Sequence, residues 1–458
     1  SRDFQASLQQ PAIHAGTLER TFWPQPGNVK TMNSLQVRRR ALHWLVTATG
    51  HWLFQGRNAG QQFPDENDVD WKTVSELAYF HNVEPLLHWM VSNTEISIRI
   101  PEWLKQKWER AYFGNFLRNE AYFDVLRTLL TECEKAGLPI IVLKGPALIG
   151  RIYKDPALRT FSDLDILCSP TDLHRIVAIA RTMGYTIMAE GDNPAAAHHV
   201  AMFQAASEMI LEFHFMPYEI IQNHRKFMQM VWDRREWITV GNLQCPVLCL
   251  EMEMLFNIAH LVQHQFDVSV KHYLDIAGIL VSCEKQLERD GIETLFRDFG
   301  LEQAFDLTTG FLSATMHLPF VPQDIKLNTK DGAQGKFNAS LLDLLALLDE
   351  KRLLDVRGAI WNFRVAFGNR KRFGEKITYA VKTLVPSSGS LANLGIRSAS
   401  DAFRYFLRQF RFYCGRLSVT LSHLPKGRQS NNKPSLAVKR AAAKDRITRQ
   451  LLRIVRSK

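Results

Sequence analysis

Two aspartates two positions apart are the residues of this sequence whose spacing points most directly to chemistry. Asp163 and Asp165 lie in the segment 162–168, whose apolar residues predict a buried β-strand. Side chains alternate between the two faces of a strand, so both carboxylates lie on one face. Like charges held side by side repel unless a cation lies between them, and oxygen ligands of this kind suit Mg²⁺ together with substrate phosphates. The pair therefore predicts a divalent metal site. The alternative is a strand end at which both aspartates only cap turns.

A third carboxylate, Glu212, follows in a segment that also alternates like a strand. Ile210, Glu212 and His214 share one face of this segment, and apolar residues occupy the other. A glutamate in mid-strand is costly to bury without a partner. If a neighbouring strand brings it beside the two aspartates, the three carboxylates can hold two metal ions, which clamp the attacking and leaving oxygens of a phosphoryl displacement. The alternative is a glutamate at the rim of the sheet, facing water.

A strand-to-helix turn precedes the aspartates. Residues 138–143 are apolar and rich in β-branched side chains, which predicts a buried strand, and Lys144 and Gly145 follow it. Glycine lets a backbone approach a phosphate, the next helix, predicted over 147–153, offers free N–H groups, and lysine adds charge. Such a pair is common in turns of this kind, so its value as a phosphate site depends on its place one strand before the aspartates.

The elements that must position these residues are a small sheet and many helices. From residue 138 to 215 the pattern predicts strand, helix, strand, helix, strand and then a hairpin formed by 199–203 and 208–215. The periodic segments before and after this region are helical. The predicted fold class is α+β, with a small mixed β-sheet core embedded in a largely helical protein.

We divide the chain accordingly into five parts. These are an N-terminal extension with a short helix near residues 41–50 (1–69), an N-terminal helical region with a break near Asn82 and a long helix over 102–136 (70–137), the α/β core (138–248), a helical domain (249–385), and a linker with a basic helical tail (386–458).

Composition limits the class of protein. Of 458 residues, 46% are hydrophobic and 22% are charged, which excludes a wholly disordered chain, a collagen and a disulfide-stapled mini-protein. No stretch approaches the roughly 20 apolar residues of a membrane-spanning helix. Six scattered cysteines are typical of a reducing compartment. The sequence therefore favours a cytoplasmic protein.

The excess positive charge lies near the C-terminal end. The net charge is +11, and residues 401–458 contain 15 Lys and Arg against 2 Asp, so this segment carries +13 and the remainder −2. Arg404, Arg408 and Arg411 form one stripe of a predicted helix, and a second apolar stripe begins at Ile447 among further arginines. Three interpretations stay open. The first helix packs on the body while the last is solvated, or the tail lies on the inner face of an anionic membrane, or it binds RNA.

Taken together, these motifs resemble a bacterial family of uncharacterised nucleotidyltransferases, whose core is similar to that of the DNA-polymerase-beta superfamily. The resemblance covers roughly residues 70–310. It is carried by Leu143–Leu148, Tyr153, the run from Arg159 through Ser162, Asp163 and Asp165 to Leu167, His198 and His199, the run Leu211–His214, the pair His260 and His264, and Asp275.

The resemblance implies roles for these residues. Asp163, Asp165 and Glu212 would be the catalytic residues and the ligands of two Mg²⁺ ions, and Lys144, Gly145, Arg159 and Ser162 would contact the nucleoside triphosphate. His214, His260, His264 and Asp275 would lie on the substrate side of the cleft. Paired histidines one helical turn apart can also bind zinc, but Leu261 stands where a zinc-protease helix has glutamate. Histidines that line or brace the cleft are therefore the favoured interpretation.

The implied function is transfer of a nucleoside monophosphate from an NTP, with ATP as the default, to an unidentified hydroxyl-bearing acceptor: a small molecule, a saccharide or a peptide. The wider superfamily usually has Gly-Ser shortly before its Asp-x-Asp, whereas this chain has Gly145-Pro146 eighteen positions before Asp163. This difference favours an alternative, a non-catalytic protein that binds a nucleotide or a partner and carries a basic membrane- or RNA-binding tail. A third interpretation keeps the enzyme and makes RNA the acceptor.

Overall fold

The computed structural model describes residues 34–53, 69–93, 99–188, 199–283, 289–316 and 333–348, and the short stretches 439–440, 442–444 and 446–447. It has the predicted fold class, a seven-stranded mixed β-sheet surrounded by helices. The helices are α1 (Ser34–Leu53), α2 (Trp71–Phe80), α3 (Glu84–Asn93), α4 (Glu102–Lys135), α5 (Lys144–Leu148), α6 (Leu173–Thr182), α7 (His224–Asp233), α8 (Leu250–Gln263), α9 (Val270–Cys283), α10 (Arg289–Asp298), α11 (Glu302–Met316) and α12 (Ala333–Ala346). The strands are β1 (Ile140–Val142), β2 (Asp163–Cys168), β3 (Thr186–Ile187), β4 (His199–Gln204), β5 (Met209–His214), β6 (Arg235–Val240) and β7 (Leu243–Leu248).

The sheet has the strand order β3-β4-β5-β2-β1-β7-β6. The central strand β2 runs antiparallel to β1 and parallel to β5, and β1 in turn runs parallel to β7. Leu164 and Ile166 of β2 are wholly buried. Because they alternate with Asp163 and Asp165, the two aspartates project from the opposite face of the sheet. The centre of the sheet therefore presents carboxylates on one face only.

Most of the predicted elements are confirmed. The hairpin of β4 and β5 pairs from His199 with His214 to Gln204 with Met209. The helical region before the sheet breaks at Asn82, whose φ is +57°, and α4 spans 34 residues. After β7, every described element up to residue 346 is a helix.

The short helix after β1 lies earlier than predicted. The sequence predicts it over 147–153, but the helix is α5, which spans Lys144–Leu148. It ends early because Gly150 turns the chain with φ +84° and Ile149 then pairs with Tyr153 in an isolated β-bridge.

The first helix is longer and more deeply packed than predicted. Helix α1 has 20 residues, where the sequence predicts a short amphipathic helix. It continues through a run of arginines because these side chains find partners; Arg39 Nε, for example, donates to Asp343 Oδ1 at 2.7 Å. Farther along α1, Trp44 stacks on Trp108 with ring centroids 5.9 Å apart and meets Trp71 edge-on at 5.2 Å. Helix α1 is thus part of the helical core.

Residues 224–248 form a helix and a hairpin that were not predicted from the sequence. Helix α7 leads into β6, which pairs with β7 in an antiparallel hairpin. Strand β7 then joins the centre of the sheet by pairing with β1, with Val142 opposite Val247. The hairpin extends the sheet beyond β1, the strand that precedes Lys144.

The described part of the C-terminal tail packs against the body of the protein. Its cations pair with acidic residues of the body: Arg440 and Lys444 with Asp267 at 2.7 and 3.0 Å, and Arg446 with Asp343 at 3.0 Å. Ile447 is wholly buried. The described residues 439–440, 442–444 and 446–447 are therefore not a solvated tail.

Other predictions lie outside the described residues. These are the extension up to residue 31, the linker at 386–390 and the basic stripe at 404–411. Among the helices that are described, none has both the length and the apolar character needed to cross a bilayer.

Candidate active site

Two parallel strands bring carboxylates together. In the register of β2 and β5, Asp163 lies opposite Ile210 and Asp165 lies opposite Glu212. Side chains opposite each other on paired strands are close neighbours on the same face. The pairing therefore sets Glu212 beside Asp165, and Asp163 lies two residues away at the start of β2.

Asp165 is held by two nitrogen donors. It is 4% exposed, and its Oδ1 accepts hydrogen bonds from Lys144 Nζ and His214 Nε2, both at 2.7 Å. Burial alone would raise the pKa of Asp165, but Lys144 and His214 hold that pKa well below its usual range. Burial would likewise lower the pKa of Lys144, but Asp165 keeps it above its usual value. Asp165 and Lys144 therefore form a buried ion pair.

Glu212 and His214 complete a group that can hold a cation. Asp165, Glu212 and His214 each offer one ligand atom, and these atoms lie within 4.8 Å of one another, the one such set among the described residues. Burial, followed by the charges of Asp165 and Asp163, raises the pKa of Glu212 to about 7. Burial and Asp165 also raise the pKa of Asp163. This face is short of positive charge, as expected where a divalent ion binds.

The turn at Lys144 and Gly145 is held by contacts with other residues of the protein. Lys144 has φ +52°, and its backbone N–H donates to Glu253 Oε1 at 3.0 Å. Gly145 is buried, and a Cβ at that position would lie 3.0 Å from the Cβ of Phe161. The close approach of Phe161 accounts for the glycine without a phosphate. Contact of Gly145 with the NTP stays a prediction.

Arg159 and Asp275 form a buried bidentate ion pair. Arg159 Nε donates to Asp275 Oδ1 at 2.7 Å, and Nη2 donates to Oδ2 at 2.5 Å. Tyr153 adds a hydrogen bond from its hydroxyl to Oδ1 at 2.8 Å, and Asp275 has no exposed surface. Bidentate charge-assisted bonds of this kind are among the strongest in proteins. The cluster therefore joins α9 firmly to the loop that precedes β2.

Helix α4 holds the same loop from the other side. Its donors reach four backbone carbonyls: Asn115 Nδ2 donates to Ala157 O, Asn119 Nδ2 to Pro156 O and Arg159 O, and the Tyr122 hydroxyl to Ser162 O. Buried carbonyls without such partners would be costly. The loop is therefore fixed up to Ser162, whose side chain is exposed directly before Asp163.

A row of histidines extends from Asp165 toward the surface. His260 of α8 and His264, which directly follows this helix, have ring centroids 4.5 Å apart, and His272 lies 4.9 Å from His260. The Tyr218 ring is 6.0 Å from His260 and 6.3 Å from His214, so it connects the two groups. Burial lowers the pKa of His260 and His272 well below the usual value, and His264 is exposed. In the described part of the chain, these histidines do not bring three ligand atoms together as a zinc site requires.

Lys271 is a residue near the site that no sequence motif indicates. This residue lies on α9, four positions before Asp275, so the two side chains share one face of the helix. Its Nζ donates to Thr160 O at 3.2 Å. Burial and repulsion from Arg159 lower the pKa of Lys271 to about 7. The helical spacing from Asp275 is the signal in the sequence that could have identified it.

The family of the chain follows from its similarity to known proteins. No curated protein matches the chain. Among solved structures, the antibiotic-resistance factor ANT(2'')-Ia is similar at 14% identity and a TM-score of 0.28, over 43% of this chain and 98% of that one. An antigenic nucleotidyltransferase-like protein from Paracoccidioides brasiliensis is similar at 11% identity and a TM-score of 0.27, over 48% of this chain and 98% of that one. The family described as uncharacterised nucleotidyltransferase matches residues 67–317, which is more than half of the sequence and includes all of β1 to β7. The chain therefore belongs to this nucleotidyltransferase family.

Proposed function

We propose that the chain catalyses metal-dependent transfer of a nucleoside monophosphate from an NTP, by default ATP, to a hydroxyl group of a small molecule, a saccharide or a peptide. The observation that carries the proposal is the parallel pairing of β2 and β5, which sets Glu212 beside Asp165 with Asp163 two residues away. In a member of a nucleotidyltransferase family, carboxylates on one sheet face are a suitable site for the metal ions of phosphoryl transfer.

The carboxylate face is suited to divalent ions by its donors and its charge. Asp163, Asp165 and Glu212 would hold two Mg²⁺ ions, and His214 would keep Asp165 in place through the hydrogen bond from its Nε2. Carboxylate oxygens are the ligands that Mg²⁺ prefers. Ions bound there would neutralise the triphosphate and stabilise charge on the attacking and leaving oxygens.

The protein's own residues hold this face in place. Lys144 and His214 fix the orientation of Asp165 through their two hydrogen bonds to its Oδ1. The Arg159–Asp275 pair anchors α9 to the loop before β2. Such rigid positioning supplies much of the catalysis in phosphoryl transfer, because the reacting groups must be held in line.

His260 of α8 and His264, directly after this helix, form the proposed acceptor side of the cleft. His264 is exposed and lies beside His260, which connects through Tyr218 to His214. A neutral imidazole can both donate and accept a hydrogen bond, so these side chains suit an acceptor that carries hydroxyl groups.

The first test is calorimetric titration of each of the four NTPs, with and without Mg²⁺, into the wild type and Asp163→Asn. Asp163 is chosen because, unlike Asp165, its side chain makes no hydrogen bond among the described residues. Asp233→Asn, at an exposed position at the end of α7, is the control. We expect one NTP to bind only with Mg²⁺, about tenfold or more weakly in Asp163→Asn, and unchanged in the control. Absence of NTP binding to the folded wild type would overturn the proposal.

A second measurement separates an enzyme from a non-catalytic binding protein. The NTP that binds is labelled at its α-phosphate and incubated with hydroxyl-bearing small molecules, saccharides, peptides or RNA. We expect the label to move to one of these acceptors with release of pyrophosphate, and about a hundredfold more slowly in Asp163→Asn. Transfer to RNA that weakens steeply with salt would identify the acceptor as nucleic acid.

A further inference from the structure

The two cations expected to bind the triphosphate already have carboxylate partners. Lys144 Nζ lies 2.7 Å from Asp165 Oδ1, and Arg159 makes its bidentate pair with Asp275. Both ion pairs are buried, and taking the cation away from such a carboxylate would leave an uncompensated charge. In the structure these two side chains position the site, and their contact with the NTP stays a prediction. A cationic side chain that no carboxylate engages is a separate candidate for binding phosphate.

Lys271 is a cation whose hydrogen bonds are incomplete. Its ammonium group has three donors, and the one partner among the described residues is Thr160 O, at 3.2 Å. No carboxylate of the described residues lies within ion-pair distance of Nζ. Thr160 O also accepts from Arg159 Nη1, so two cations converge on one carbonyl oxygen.

The charge around Lys271 favours an anion. Arg159 and Lys271 bring two positive charges to the loop before β2, and Asp275 supplies one negative charge that Arg159 engages through both oxygens. Burial and the repulsion from Arg159 lower the pKa of Lys271, and they outweigh the opposite effect of Asp163, Asp275 and Asp165, which lie beyond ion-pair distance of Nζ. An anion within reach of Nζ would offset both the burial of the ammonium charge and the repulsion from Arg159.

The position of Lys271 points to the nucleotide. Thr160, which it contacts, lies three residues before Asp163, and the loop between them is fixed by α4. A triphosphate whose metal ions are held at Asp163 would bring phosphate oxygens to this end of β2.

We propose that Lys271 binds the triphosphate of the nucleotide substrate. This inference rests on the proposed function and adds a residue to it. As the triphosphate enters, an N–H of Lys271 that has no partner among the described residues donates to a phosphate oxygen, and no covalent bond changes. A merely structural role, bracing Thr160 O, is the alternative.

The test compares Lys271→Met with Lys271→Arg, and with Lys154→Met as a matched control. Lys154 also donates to backbone carbonyls, Gly150 O and Arg151 O, but it is exposed. The probes are the NTP found by titration, inorganic tripolyphosphate and the corresponding nucleoside, each with Mg²⁺. A charge-assisted hydrogen bond to phosphate leads us to expect Lys271→Met to weaken NTP and tripolyphosphate binding about ten- to a hundredfold. Nucleoside binding should be unchanged, Lys271→Arg should recover most of the loss, and Lys154→Met should match the wild type.

The outcomes separate this inference from the proposed function. If the wild type binds Mg·NTP and Lys271→Met binds it equally well, the role of Lys271 is wrong and the proposed function stands. If Lys271→Met weakens nucleoside and NTP binding by the same factor, the residue is structural. If the folded wild type binds none of the four NTPs, the proposed function and the inference fail together.

Discussion

At the scale of single residues, the buried pair of Lys144 and Asp165 makes the carboxylate face dependent on one lysine. Lys144 Nζ and Asp165 Oδ1 are 2.7 Å apart, and both side chains are almost fully buried. Removing one partner of such a pair leaves a charge with neither water nor a counter-ion. The lysine therefore has a structural role in the site whether or not it also contacts a nucleotide.

Lys144→Met should lower the free energy of unfolding by about 3–5 kcal/mol, because Asp165 would keep only His214 as a partner. Lys226→Met is the matched control, since Lys226 pairs with Asp298 at the same distance of 2.7 Å but in an exposed position, and should lose at most about 1 kcal/mol. Urea unfolding at pH 7 measures both losses. Adding Asp165→Asn to Lys144→Met should recover part of the stability. Equal losses in the two lysine variants would contradict a buried ion pair.

At the scale of elements, the sequence predicted the alternating faces of β2 and β5 but not the contacts that join them to other elements. Alternation is a local property, so the common face of Asp163 and Asp165 follows from the chain itself. The Arg159–Asp275 pair joins residues 116 positions apart, and no local pattern specifies such a contact. Lys271 could not be predicted for the same reason, because its contact with the loop before β2 exists only once α9 packs against that loop.

The hairpin of β6 and β7 was missed for a different reason. Gly241 and Asn242 form a two-residue turn signal, but the flanking strands lack a clear apolar face. Trp237 of the edge strand β6 is 63% exposed, and Pro246 interrupts β7. Proline in a strand argues against a strand from sequence alone. Tertiary pairing with β1 at Val142 overrides that preference.

Helix α4 positions the loop before β2, and this can be tested through Asn119. This side chain is wholly buried and donates to Pro156 O and Arg159 O at 2.7 and 2.9 Å. Asn119→Ala should cost about 1–3 kcal/mol, because it leaves buried carbonyls without donors. It should also weaken Mg·NTP binding by misplacing the loop. Asn93→Ala is the control, since Asn93 donates to Trp89 O at 2.8 Å at the surface. Normal stability and NTP binding in Asn119→Ala would show that α4 does not fix the loop.

At the scale of the whole molecule, one histidine connects three helices of the body. His81, at the end of α2, is wholly buried. Its Nδ1 accepts from the Val270 N–H at the start of α9, and its Nε2 lies 3.1 Å from Leu345 O on α12. Since Nδ1 is an acceptor, the ring is neutral and Nε2 is the donor. The orientation of α9, which carries Lys271 and Asp275, thus depends on an uncharged His81.

This arrangement predicts a loss of stability in acid. Burial lowers the pKa of His81 from 6.5 to about 3. The hydrogen bond to Leu345 O raises this pKa, whereas the charges of Arg38 and Arg440 lower it further. The folded state therefore binds fewer protons than the unfolded state between these values. The stability that neutral His81 contributes is present above pH 6.5 and is lost as pH falls toward 3, by up to about 1.4 kcal/mol per pH unit.

Urea unfolding of the wild type and His81→Gln from pH 7.5 to pH 5 measures this contribution. Other buried histidines also titrate, but they are common to both proteins, so the difference in free energy of unfolding isolates position 81. We expect that difference to be constant above pH 6.5 and to shrink as the pH falls, because glutamine has no proton to gain. His174→Gln, at an exposed position on α6, should follow the wild type at every pH. A difference between wild type and His81→Gln that does not change with pH would mean that the ring is not held neutral, and that α9 is oriented by its other contacts alone.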